Sequence, residues 1–166
     1  MYMEQLTNLI ISDRELTIIT TLLTKLMSDT SASSVMLLDK SGQVITTQGA
    51  STRQNATALG ALLAGAFSSS RHVAELLGEK DFRTIFQQGV NESIFTTMVE
   101  EQWLLVIVFD KLTHIGLVKI LSKKAADELG RTLERVRSDT TRQKSSVLNI
   151  NFRSSVEDTI DLLFRD

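Results

Sequence analysis

The sequence predicts an α+β fold with one five-stranded antiparallel sheet and helices packed on it. Two observations support this prediction. Apolar residues recur at helical spacing in three long segments, and five short β-prone runs lie between those segments. Because most of these runs are joined by only a few turn residues, the strands are expected to pair antiparallel in one sheet. The predicted order of elements is α-β-β-α-β-β-β-α.

The first predicted elements are a helix and a hairpin. Residues 13–27 place apolar side chains every three or four positions, and Ser12 with Glu15 forms a capping box at the start. The β-prone runs Val35–Leu38 and Gln43–Thr47 flank a short turn, whose glycine can adopt the positive φ of a hairpin. This part of the chain therefore predicts one helix followed by two paired strands.

The middle of the chain predicts two further helices and three further strands. Residues 57–77 are rich in Ala and Leu, which favours a second helix, and Gly78 is its predicted end. Residues 79–88 are expected to form a short helical turn, and residues 125–136 a third long helix. The three predicted strands are 93–99, 103–109 and 115–121.

The C-terminal part differs in character from the rest. Ser138–Ser146 is polar and lacks periodicity, which is typical of a flexible linker. Four apolar residues then recur at i, i+4, i+7 and i+8, as on a helix that docks on another surface: Val156, Ile160, Leu163 and Phe164. The predicted organisation is one domain over residues 8–137, followed by a flexible linker and a C-terminal docking helix over 138–166.

The composition excludes several classes of protein. The 166 residues contain no cysteine, so disulfides, thiolate catalysis and cysteine metal sites are excluded. A net charge of −2 gives no general attraction to nucleic acid. The longest apolar run, Trp103–Phe109, is far shorter than the ~20 residues of a membrane span. We expect a cytoplasmic protein without a nucleic-acid partner and without membrane insertion.

Motifs of known catalytic chemistry are absent from the sequence. It contains neither the G-x-x-x-x-G-K-[ST] loop of nucleotide hydrolases nor the G-x-G-x-x-G loop of dinucleotide-binding proteins. His72 and His114 lie far apart, and neither has a second candidate metal ligand nearby. We therefore expect no catalytic residues in this chain, no cofactor and no metal, and a function in binding rather than catalysis.

The predicted helix at 57–77 has two faces of different character. One face is broad and apolar and is expected to pack in the core: Leu59, Leu62, Leu63, Ala66, Phe67, Val73 and Leu77. The opposite face is small and weakly apolar, and we predict that it binds a partner: Ala61, Ala64, Gly65, Ser68, Arg71, His72 and Glu75. Small side chains let another backbone come close, which favours an interface. The alternative is a solvated helix that is rich in alanine because alanine favours helix.

Several short motifs follow one another in order along the chain. They are Val35–Ile45, Leu63–Gly65, Leu76–Glu79 with Phe82, Val108–Asp110 and Gly116–Lys119. Over residues 8–137 this ordered set resembles the Roadblock/dynein-light-chain family. The tail Ile160–Phe164 is similar to the C-terminus of bacterial members that regulate cell polarity and gliding motility.

The resemblance implies a function that the residues alone do not establish. Family members form homodimers in which sheets join edge to edge and the second helices lie side by side. The bacterial members bind a small Ras-like GTPase in its GTP form across the paired helices. They stimulate GTP hydrolysis by repositioning catalytic residues of the GTPase itself. The resemblance also implies recruitment to a cell pole.

Three alternatives stay open at this point. Arg71 could act as an arginine finger, although a surface or dimer salt bridge is the simpler role for it. The chain could be a scaffold that anchors a GTPase or motor without changing hydrolysis. A small-molecule sensor is the third alternative, but the predicted core positions are aliphatic, and a sensor needs polar groups in a cavity.

Overall fold

The computed structural model describes residues 10–50, 53–80 and 82–164. The predicted domain start at residue 8 lies outside the described residues. The elements are α1 (Asp13–Thr30), β1 (Ser34–Asp39), β2 (Val44–Gly49), a 3-10 turn (Arg53–Asn55), α2 (Ala56–Leu77), β3 (Thr84–Gln88), β4 (Glu92–Val99), β5 (Trp103–Asp110) and α3 (Ile115–Leu163). The α+β class and the predicted order of elements are confirmed.

The five strands form one antiparallel sheet in the order β2-β1-β5-β4-β3. The predicted hairpin of β1 and β2 is confirmed, and Gly42 in its turn has the expected positive φ of 97°. Asp39 holds this turn, because its Oδ1 accepts hydrogen bonds from the backbone N–H groups of Ser41 at 2.9 Å and Gln43 at 3.0 Å. The hairpin thus places β2 at one edge of the sheet, and β3 lies at the other.

Helices cover both faces of the sheet. On one face α1 and α3 pack together on inward side chains that alternate along the strands: Val35, Leu37, Phe95, Leu105 and Ile107. On the other face α2 packs on Met36, Leu38, Leu104 and Val106. The result is three layers, with α2 alone on its side of the sheet.

The predicted capping box at the start of α1 is confirmed. The hydroxyl of Ser12 accepts a hydrogen bond from the N–H of Glu15 at 3.3 Å, and the Glu15 carboxylate accepts one from the N–H of Ser12 at 3.0 Å. These bonds to Ser12 hold the pKa of Glu15 below its ordinary value. The helix runs three residues beyond the predicted end, until Ser31 takes the left-handed conformation with φ 55°.

Two predicted elements are wrong. A predicted helical turn is a strand and a predicted strand is helical, so the predicted number of strands and the order of elements still agree with the structure. The segment 79–88 does not form a helical turn, because Thr84–Gln88 is β3, paired with β4 from Thr84↔Thr97 to Gln88↔Ser93. The segment 115–121 does not form a strand, because it is the beginning of α3. Its inward residues continue the spacing of three or four that defines the rest of the helix: Ile115, Val118, Ser122, Ala125 and Leu129.

The predicted linker over 138–146 is also wrong as a structural assignment, because these residues lie inside α3. No glycine or proline follows Gly130 to end the helix, and a helix that is already formed extends at little cost. Thr140 is the last buried residue, and its hydroxyl accepts a hydrogen bond from the N–H of Ile10 at 3.1 Å. The division of the chain at residue 137 into a domain and a docking segment stays a prediction.

Within the described part of the chain, no helix combines the length and the hydropathy that a bilayer crossing needs.

Candidate partner-binding site

The side of α2 that faces the sheet is set by a contact between two glycines. Gly60 packs on the β1–β2 turn so closely that a Cβ there would overlap the carbonyl oxygen of Gly42. A Cβ on Gly42 would in turn lie 2.9 Å from the Cα of Ala61. The small residues of α2 therefore do permit close backbone approach, as predicted, but part of this approach is to the chain's own hairpin.

This contact rotates α2 by roughly 90° from the predicted orientation, about one residue position. Leu63 and Phe67 lie in the core as predicted, and Leu59 packs against them. Four other residues of the predicted core stripe are exposed instead: Leu62, Ala66, Val73 and Leu77. Their places on the sheet side are taken by Gly60, Ala64 and Ala74.

The rotation changes the predicted partner-binding set at one position. Ala64 is only 5% exposed and packs in the core, so its side chain offers almost no surface to a partner. The other six predicted residues are exposed: Ala61, Gly65, Ser68, Arg71, His72 and Glu75. His72 Nδ1 lies 3.0 Å from the carbonyl oxygen of Ser68, within the same helix. Arg71 lies toward the sheet side, where it lines a shallow depression with Lys40 and Glu101.

Away from the sheet, α2 presents an apolar stripe, part of which was expected in the core. We call it the outer α2 face; it consists of Leu62, Gly65, Ser69, Val73 and Leu76. All five residues are exposed, Leu62 by 71% and Leu76 by 88%. Large exposed apolar side chains along one helix face are typical of an interaction surface. Their spacing was visible in the sequence, but spacing alone does not separate a core stripe from an interface stripe.

The edge strand β3 is a second unpartnered feature. It pairs only with β4 among the described strands, and Thr84–Gln88 contains neither proline nor a charged residue to protect its free edge. Ile85 packs against the same apolar cluster that α2 covers. The free edge of β3 and α2 therefore belong to the same side of the domain.

The end of α3 presents a third exposed surface. Every described residue from Ser145 to Phe164 is exposed, so no described part of the chain covers this stretch. The helix aligns three of the predicted docking residues on one stripe, and the fourth, Phe164, is its C-cap. We call these residues the tail stripe: Val156, Ile160, Leu163 and Phe164. Phe152 lies one turn earlier on the same stripe and is 70% exposed.

The described residues contain no cluster of three or more His, Asp or Glu side chains that could hold a metal ion. On α1, hydrogen bonds from Ser12 lower the pKa of Glu15, and the hydrogen bond from Lys25 to Asp29 at 2.9 Å raises the pKa of Lys25. The features on α2 and β3 are those of a binding surface.

Comparison with known proteins agrees with this geometry. A family model described as the Roadblock/LC7 domain matches residues 18–109. The structure of Myxococcus xanthus MglB has a TM-score of 0.71 and 35% sequence identity, covering 77% of this chain and 96% of that chain. Gliding protein MglB of Thermus thermophilus has a TM-score of 0.71 and 28% identity, covering 76% and 96%.

A further solved structure, described as MglB with a tetrameric arrangement, has a TM-score of 0.73 and 27% identity, covering 77% of this chain and 96% of that chain. Among curated protein sequences none matches the chain. The family model spans more than half of the chain, and the similarity to MglB covers nearly all of the matched protein. This chain belongs to the Roadblock/LC7 family.

Proposed function

We propose that this chain is a homodimeric regulator of a small Ras-like GTPase similar to MglA, which it binds in the GTP form and stimulates in hydrolysis. The outer α2 face is the observation that supports this proposal most directly. It is an exposed apolar stripe, on a domain that is 35% identical to Myxococcus xanthus MglB. A Roadblock-type regulator is what the fold supports, and binding of the GTPase is the finer proposal.

The homodimer is proposed from two surfaces on one side of the domain. A second copy that pairs with the free edge of β3 continues the sheet, which satisfies the backbone groups of that edge. The same two-fold arrangement brings the α2 helices together and covers large side chains such as Leu62 and Leu76. Leaving these side chains exposed in water is unfavourable, so the dimer gains free energy from their burial.

The GTPase is proposed to contact the paired α2 helices through the exposed predicted residues. Apart from Arg71, these are Ala61, Gly65, Ser68, His72 and Glu75. The described residues place no unsatisfied cation at the centre of this surface, because Arg71 lies at its edge beside Lys40 and Glu101. The chain therefore acts on the GTPase by shape, repositioning the GTPase's own catalytic residues.

The tail stripe is proposed to make a separate contact with the same GTPase. It lies beyond the last buried residue of α3, Thr140, on a helix that leaves the domain. A tethered contact of this kind has an effective concentration in the millimolar range, so it tunes affinity even when it is weak. By similarity to MglB, the process regulated is cell polarity and gliding motility, with recruitment to a cell pole.

The proposal is tested by single-turnover GTP hydrolysis of a purified MglA-like GTPase, with and without the chain. The decisive variant is Gly65→Arg, because a side chain at Gly65 meets nothing within 4 Å and leaves the fold intact. The matched control is Gly116→Arg, at another helical glycine with open space, on α3. We expect the wild type and the control to stimulate hydrolysis, and Gly65→Arg to lose both stimulation and binding. Because Gly65 also lies on the outer α2 face that the second copy is proposed to cover, light scattering on each variant separates loss of the GTPase contact from loss of the dimer.

Two other results would contradict part of this proposal. Full stimulation by Gly65→Arg shows that the GTPase contacts a different surface, and the proposed site is then wrong. Binding without stimulation by the wild type supports the alternative function, a scaffold that anchors a GTPase or motor.

A further inference from the structure

A cavity of ≈ 550 Å³ lies between the strands β3 and β4 and the first turns of α3. Its volume is in the range of about 300–1,000 Å³ that is typical of small-molecule sites. It lies on the sheet face that α1 and α3 cover, opposite to α2. The polar residues of its lining that the ligand is proposed to contact or approach are Thr97, Glu100, Lys119, Ser122, Lys123 and Asp127.

The floor of the cavity contains two buried hydroxyl groups. Thr97 is 7% exposed, and its hydroxyl has no hydrogen-bond partner among the described residues. Ser122 is 1% exposed, and its hydroxyl donates to the carbonyl of Lys119 at 3.1 Å, which leaves its oxygen able to accept. A buried hydroxyl without a partner is unfavourable, so the floor is suited to a polar guest.

The walls of the cavity carry opposite charges at its two ends. Lys119 and Lys123 lie one helical turn apart on α3, and neither forms an ion pair with a described residue. Asp127 follows one turn later. Glu100 lies further along still, where its Oε1 is 2.5 Å from the position of a Cβ on Gly130. A ligand that lies along α3 is therefore next to two ammonium groups at its end near Lys119 and next to two carboxylates at its end near Gly130.

We propose that this cavity binds a small polyol that carries one anionic head group, a phosphate or a carboxylate. The head group lies between Lys119 and Lys123, which supply charged donors from adjacent turns. The hydroxyl groups of the polyol donate to the carboxylates of Asp127 and Glu100 and to the hydroxyl oxygen of Thr97. Arg83 also lines the cavity, but its Nη1 donates to Glu101 at 3.0 Å, so it is not assigned to the ligand.

This site is additional to the proposed GTPase regulation and does not depend on it. The ligand would occupy one face of the sheet, while the outer α2 face belongs to the other. Failure of either proposal therefore leaves the other standing.

Isothermal titration calorimetry of the full chain tests the proposal with four probes: glucose 6-phosphate, gluconate, glucose and inorganic phosphate. We expect glucose 6-phosphate or gluconate, or both, to bind at least about tenfold more tightly than glucose or phosphate, because only they combine head group and hydroxyls. The two charged probes distinguish a phosphate site from a carboxylate site. No binding of either one at millimolar concentration overturns the proposal.

A lysine variant and a matched control locate the head group. Lys119→Gln with Lys123→Gln should weaken binding of the charged polyol by about tenfold or more. Lys124→Gln is the control, since Lys124 is exposed on the same helix but does not line the cavity, and it should bind like the wild type. Equal binding by the double variant and the control contradicts the assignment.

Thr97→Val tests whether the floor is built for a ligand, because valine keeps the shape and removes the hydroxyl. Without ligand we expect a melting temperature at or above that of the wild type, since an unpartnered buried hydroxyl is lost. The rise in melting temperature on adding the charged polyol should shrink. A lower melting temperature without ligand, or an undiminished rise with it, overturns the role of Thr97.

Discussion

The two glycines of α2 differ in what surrounds them, and the difference separates the inner side of the helix from the outer side. A Cβ on Gly60 would overlap the backbone of the β1–β2 turn, whereas a Cβ on Gly65 would meet nothing within 4 Å. Gly60 is therefore needed so that α2 can lie on the sheet. Gly65 has no such role within one copy of the chain, although it weakens the helix intrinsically.

The comparison extends to the larger side chains of the same helix. On the inner side Leu63 and Phe67 are buried against the sheet, while on the outer side Leu62 and Leu76 are exposed. The inner side is thus explained by folding of the single chain. The outer side is not, and a partner surface is the physical reason that we propose for its apolar residues.

The largest effect on stability is expected for Gly60→Ala. The added methyl group is forced against the Gly42 carbonyl, so α2 must shift, which should lower the free energy of unfolding by about 1–3 kcal/mol. Gly65→Ala is the matched variant and should raise it by up to about 1 kcal/mol, because alanine favours helix and space is open. Chemical denaturation of both variants measures the difference, and equal effects at the two positions contradict the comparison.

On the outer side, Leu76→Gln should weaken the homodimer and leave the fold unchanged. Leu76 is 88% exposed in the single chain, so its replacement removes no contact within one copy. Burial of a leucine side chain is worth about 1.5–3 kcal/mol, which corresponds to a tenfold or larger change in the dissociation constant. Leu112→Gln, at an exposed leucine in the loop after β5, is the control.

Multi-angle light scattering over a dilution series measures this prediction. The wild type and the control should be dimers at micromolar concentration, and Leu76→Gln should dissociate earlier. A monomeric wild type, or identical dissociation of all three proteins, shows that the outer α2 face is not the dimer interface.

Local sequence signals predicted those parts of the fold that local interactions determine. The capping box of Ser12 with Glu15, the hairpin turn at Gly42 and the helix end at Gly78 are confirmed, since each depends on residues a few positions apart. The two wrong elements depend on distant partners. Thr84–Gln88 becomes a strand because β4 offers it a pairing edge, and neither strand reveals that pairing by itself.

The rotation of α2 is the clearest limit of the sequence analysis for the candidate site. Both glycines and all the leucines of the helix were visible, but which side faces the sheet depends on the contact of Gly60 with Gly42. That contact joins two elements that are apart in sequence. Likewise, Lys119 falls in the predicted strand 115–121, and only the helical structure of this segment places it beside a polar cavity.

The end of α3 can be compared with the outer side of α2, because it also exposes apolar residues. Unlike α2, it has no buried side. Truncation after Ser146 should leave the melting temperature within a few degrees of the full chain, since every described residue beyond it is exposed. Binding of the GTPase should weaken, because the tethered contact is lost. The full chain with Val156→Gln and Ile160→Gln is the control for chain length, and it should show the same weakening.

Fluorescence binding to the GTP-loaded GTPase and thermal unfolding together decide the role of the tail. A large drop in melting temperature with unchanged binding would show that the tail stabilises its own domain, and the docking role would then be wrong.

The smallest effect is expected for Arg71→Ala, at the border between the two sides of α2. Arg71 lines a depression with Lys40 and Glu101 on the sheet side of the helix, away from the outer α2 face. An arginine finger contributes about 10³–10⁵ to the rate of GTP hydrolysis, whereas a surface contact contributes little. We expect stimulated hydrolysis by Arg71→Ala to stay within several-fold of the wild type at saturating concentration. Lys40→Ala is the control for the local charge. A loss of about 10³ or more for Arg71→Ala alone would mean that the chain supplies a catalytic group to the GTPase, and hydrolysis would then no longer depend on shape alone.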